Sequence, residues 1–137
     1  MFTERAELRQ IFWDAWNKRD FPHLLSALEQ QLLSIIKAHH EYIFIFEDLD
    51  SLNEDYETDQ NPFLHMSLHL SVIEQVTTNR PLGIRNVYQK AYRRMGNEHD
   101  VQHLFMEIMA DIIYESQQQH KLPDENLYLE RLFLKIT

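Results

Sequence analysis

Two histidine pairs with one spacing constrain this chain more than any other feature. His65 and His69 stand four residues apart, and so do His99 and His103, with Glu107 four further on. Residues four apart are neighbours on a helix face. At about 100° per residue, Val72, Ile73 and Val76 fall within about 80° of the first pair. Met106, Ala110, Ile113 and Tyr114 fall within about 60° of the second, and Glu107 lies on the same flank. Apolar residues at that period predict two amphipathic helices whose inward faces carry the imidazoles.

The helix punctuation agrees. The expected order is a helix over Glu4–Lys18 with Thr3 as its cap, and a second from Pro22 to Ala38 or His39. Leu25, Leu28, Leu32, Ile35 and Ile36 form the apolar stripe of that second helix. His39 continues this stripe, whereas His40 turns away. The run EYIFIFEDLD at 41–50 is rich in aromatic and β-branched residues but has no partner strand, and reads as another helical piece. An acidic connection over 47–59 follows. It fails as a calcium loop, because Leu52 takes a ligand position and Asn53 the place of the required Gly. Asn61-Pro62 opens a third long helix to about Thr78, stopped by Pro81 and Gly83. Ile84–Met95 is a basic helix, Gly96 its stop and Asn97 the cap of a helix to about Gln119. Pro123 or Asp124 starts the last one, which ends near Lys135.

These elements predict an all-α, single-domain, up-and-down bundle of about five to six helices, in keeping with 137 residues, only two Gly and 44% apolar residues. With no cysteine, disulfides and thiolate metal sites are excluded. The formal charge of −9 argues against a nucleic-acid partner. The basic helix reads better as an internal electrostatic partner. No apolar run is long enough for a bilayer and Met1–Arg5 shows no signal pattern, so the expectation is a cytoplasmic protein without a membrane partner.

Short connections favour antiparallel neighbours, which would bring both histidine pairs to one end of the bundle with His39. The expected site is a divalent metal ion held by His65, His69, His99, His103, Glu107 and His39. Zn, Fe, Ni and Mn all fit nitrogen and oxygen ligands. Glu107 is the candidate general base, and a small molecule the candidate substrate. Two other readings stand beside it: a structural or proton-handling histidine cluster, and a non-catalytic adaptor that docks a partner through its basic helix or its aromatic first helix.

The wording NPFLHMSLHLSVIEQ, then PLGIR, then NEHDVQHLFMEIM resembles an uncharacterised bacterial family, the domain of unknown function numbered 1841. The likeness spans nearly the whole chain. AHHEY at 38–42 departs from it, since the resemblance implies His-Pro where His39-His40 stand. It implies a small helical cytoplasmic protein and brings no activity. More loosely, the histidine spacing resembles the DinB-like and hemerythrin-like metal-binding bundles. His103 and Glu107 match the H-x-x-x-E form of the latter, whose closing H-x-x-x-x-D is not reproduced.

Overall fold

The first helix, α1 (Glu4–Asn17), turns Phe12, Ala15 and Trp16 inward together with Arg9. Of the apolar positions that helical spacing puts on one face, Leu8, Ile11, Phe12 and Ala15, the last two are buried, and Leu8 and Ile11 are only half-buried. Arg9 Nη1 donates to the carbonyls of Leu52 (2.9 Å) and Glu54 (2.8 Å). Its guanidinium carbon lies 4.7 Å from the centre of the Phe63 ring. A charge can be buried when its donors meet carbonyls and its face meets a ring.

In the computed structural model, residues 4–57 and 61–137 are described. The expected Thr3 cap and residues 58–60 of the acidic connection lie outside them. The chain divides into two compact units, Met1–Leu70 and Ser71–Thr137. All regular structure among the described residues is helical, in seven α-helices and two 3-10 segments, so the all-α expectation holds and the count exceeds five to six.

In the first unit, Pro22 opens only a 3-10 turn, η1 (Pro22–Leu24), rather than the second helix. The helix proper, α2 (Ala27–Lys37), starts at a capping box. Ser26 Oγ accepts from Glu29 N, and Glu29 Oε1 accepts from Ser26 N. Leu25 and Leu28 thus fall outside the buried stripe, which is Leu32, Leu33, Ile35 and Ile36, and α2 packs on α1. His39 is buried but stands beyond the helix end, in a non-helical conformation. The ambiguous 41–50 run is helical, as a 3-10 segment η2 (His40–Glu47) that buries Ile45 and Phe46. A short helix, α3 (Leu49–Leu52), then occupies part of the acidic connection. Asp48 spends its carboxylate there, accepting from Asp50 N and Ser51 Oγ. Helix α4 (Pro62–Thr78) starts as expected, with Asn61 Oδ1 accepting from Phe63 N and Leu64 N. Its residues to Leu70 belong to the first unit.

In the second unit, α5 (Ile84–Met95), α6 (Glu98–Gln118) and α7 (Glu125–Ile136) pack pairwise on one another. Gly96 closes α5 at φ 73°, where a Cβ would be strained. Asn97 caps α6 through Asp100 N and Asp124 caps α7 through Leu127 N, close to the expected starts. Ile84, Tyr88 and Ala91 of α5, Val101, Phe105 and Ile112 of α6, and Tyr128 and Leu132 of α7 are buried, with the Tyr88 and Phe105 rings edge-on at 5.3 Å. Two of the α5 arginines serve helix ends. Arg85 donates to the carbonyls of Val76 and Thr77 at the end of α4, and Arg94 donates to that of Ile136 at the end of α7. Cations belong at helix C-termini. Among the described residues, no helix is long and apolar enough to cross a membrane.

Candidate metal centre

In the first unit, the fold gathers three imidazoles from two segments. The α2 end places His39 and the first turns of α4 place His65 and His69. Ring centroids are 4.9 Å apart for His39–His65, 4.7 Å for His39–His69 and 4.9 Å for His65–His69. His39 and His69 are almost wholly buried, at 2% and 1% exposure, and His65 is half-buried. Along α4 the buried residues are Pro62, Phe63, Met66, His69 and Val72, so His69 lies on the inward stripe and His65 at its edge.

The ring nitrogens are specified by their surroundings. His39 Nδ1 lies 2.7 Å from the Ile35 carbonyl, which can only accept. Nδ1 therefore carries the proton, and Nε2 holds the lone pair when the ring is neutral. Metal-ligating histidines are oriented in this way. His65 Nε2 and His69 Nε2 stand 3.2 Å apart, so at most one of them carries a proton in that contact. Tyr42 lies parallel to His39 at 5.4 Å and edge-on to His65 at 5.9 Å. Burial, helped by the charge of Glu41, raises its phenol above the usual range.

In the second unit, His99 and His103 are one turn apart near the start of α6, with ring centroids 4.2 Å apart. Both are partly open to solvent, in contrast to the buried face expected for them. The face that α6 turns inward runs through Val101, Phe105, Met106, Ile108, Met109 and Ile112, and Tyr114, expected on the histidine stripe, is 63% exposed. Of the expected stripe, Met106 is buried and Ala110 is exposed, because the larger apolar residues draw the helix toward them. Glu107 is exposed.

Four of these histidines each offer one nitrogen suited to a metal ion: His39 and His69 in the first unit, His99 and His103 in the second. His65 and Glu107 are not in that set. Of the two histidines in AHHEY, His39 is buried and belongs to the group, and His40 is exposed. Tyr42 is the site residue that the sequence reading missed. Its signal is the spacing His39-x-x-Tyr42, which the 3-10 geometry of η2 brings back over the ring.

A family model matches residues 4–133 of the chain. The chain belongs to the DUF1841 family, a domain of unknown function. No curated protein and no solved structure matches it. Within this DUF1841 chain, the likeness to DinB-like and hemerythrin-like bundles rests on motif spacing alone, which warrants little about chemistry.

Proposed function

We propose that this protein binds a divalent transition metal ion through His39, His69, His99 and His103, one ring nitrogen from each. The observation that carries the reading is the orientation of His39: a buried imidazole whose Nδ1 donates to the Ile35 carbonyl, which puts the lone pair of the neutral ring on Nε2. His69 is equally buried, and His99 and His103 add a second pair at ligand spacing. Neutral imidazole suits Zn, Fe, Ni and Mn, and metal–nitrogen bonds are about 2 Å long. His65 supports His69 through the contact between their Nε2 atoms. An ion that keeps one position open would supply Lewis-acid activation of water for hydrolysis of a small-molecule substrate, or oxygen chemistry if it is redox-active. Glu107, exposed one turn beyond His103, is the proposed general base.

Elemental analysis of untagged protein tests the reading. We expect about one ion per chain, lost on His69→Ala and on His103→Ala and retained on His40→Ala. A folded chain that takes up no Zn, Fe(II), Ni or Mn would leave the histidines a structural cluster and favour the adaptor reading.

A further inference from the structure

The second unit holds a cavity of about 260 Å³ between the end of α4, the segment at Arg80-Pro81, α6 and the start of α7. Most of its wall is hydrocarbon, from Pro81, Met109, Ile112, Ile113 and Pro123. That volume lies just under the roughly 300–1,000 Å³ of drug-sized ligand sites, so it suits a single ring or a short branched chain.

Two donors give the cavity a polarity. The Tyr128 hydroxyl donates to Gln75 Oε1 at 2.8 Å, which fixes the orientation of the half-buried amide. Gln75 Nε2 is thereby turned to Met109 Sδ, 3.3 Å away. A thioether is a weak acceptor on a flexible side chain, so a ligand oxygen would be a better partner and Met109 can yield to it. The second donor is Arg80. This exposed residue is on the cavity wall, and its guanidinium makes no hydrogen bond or ion pair among the described residues. The acids on the wall are Asp124, whose Oδ1 already accepts from Leu127 N, and Glu125, which is exposed. They would repel a second negative charge.

We propose that this cavity binds a small apolar monocarboxylate, its carboxylate on Arg80 and Gln75 Nε2 and its hydrocarbon body against Ile112, Ile113 and Pro123. A guanidinium–carboxylate pair discriminates an acid from its neutral amide, because charge-assisted hydrogen bonds are about twice as strong as neutral ones. The cavity lies wholly within the second unit, and the inference does not depend on metal binding.

The test is a titration of the isotope-labelled full chain with phenylacetate and with phenylacetamide, followed by amide and methyl NMR. Saturable shifts centred on Arg80, Met109 and Ile113 are expected, with the acid bound at least about fivefold more tightly than the amide. Arg80→Gln, an exposed substitution, removes that preference and leaves amide binding intact. Ile113→Trp, at a half-exposed wall position, fills the space and abolishes both. Equal affinity for acid and amide, shifts scattered away from these residues, or undiminished binding in Ile113→Trp would overturn the proposal.

Discussion

Arg9 occupies a position where a helical pattern asks for hydrocarbon, and it is there for its donors. Replacement by Met keeps the stem but leaves the Leu52 and Glu54 carbonyls without their shared partner. Hydrogen bonds to a charged group are worth about 1.5–3 kcal/mol, so Arg9→Met should cost about 2 kcal/mol in urea unfolding. Tyr128 gives a second prediction, in pH. Burial holds its phenol above the ordinary value of 10.0. The fold thus favours the neutral form. The stability this contributes is complete below pH 10 and is lost as pH rises through the higher folded value. Tyr128→Phe should lower stability by about 1 kcal/mol at neutral pH and flatten its decline in alkali, both read from unfolding curves. The roles of single residues were only partly legible. His69 announced itself by falling in an apolar stripe. The choice of His39 over His40 rested on helical phase and survives although the helix ends first, because the 3-10 turn also points that ring inward. Tyr42 could not be read from a helical pattern, since its placement depends on that turn.

At the scale of elements, caps were the most readable signals. Asn61, Asn97 and Asp124 each accept from backbone amides at the helix starts they marked in the sequence. Pro22 misled because a proline suits any first turn, 3-10 as well as α, whereas the capping box Ser26-x-x-Glu29 was the stronger signature. Ser26→Ala removes the Oγ acceptor for Glu29 N and should cost about 1 kcal/mol, read as a lowered thermal midpoint. Lys18 donates to Glu29, and this contact, with the Ser26 amide, holds the carboxyl below the usual range. A depressed acid stabilises above its unfolded value and loses that contribution as pH falls through its folded one. Glu29→Gln should therefore flatten the acid limb of the stability profile below about pH 4.5. The rotation of α6 was the harder problem. A wheel centred on His99 and His103 finds Met106, Ala110 and Tyr114, of which only Met106 is buried, because the whole helix carries a heavier stripe through Val101, Phe105, Ile108 and Ile112. Burial follows the larger area, at about 25 cal/mol per Å².

For the molecule as a whole, the consequence of metal binding is thermodynamic linkage. An ion that binds only the folded chain stabilises it by RT ln(1 + [L]/Kd), roughly 2.7 kcal/mol at a free concentration of 100 Kd. For a chain of this length the typical unfolding entropy converts that stabilisation to a rise of roughly 9 °C in Tm. Calorimetry with and without a chelator should show a drop of that order in the metal-loaded protein, restored by adding the ion back. His69→Ala in the first unit and His103→Ala in the second should each abolish the chelator effect. This double requirement separates a shared ion from surface binding, which would respond to one substitution and spare the other. It also separates a shared ion from a structural cluster, whose loss lowers Tm equally with and without chelator.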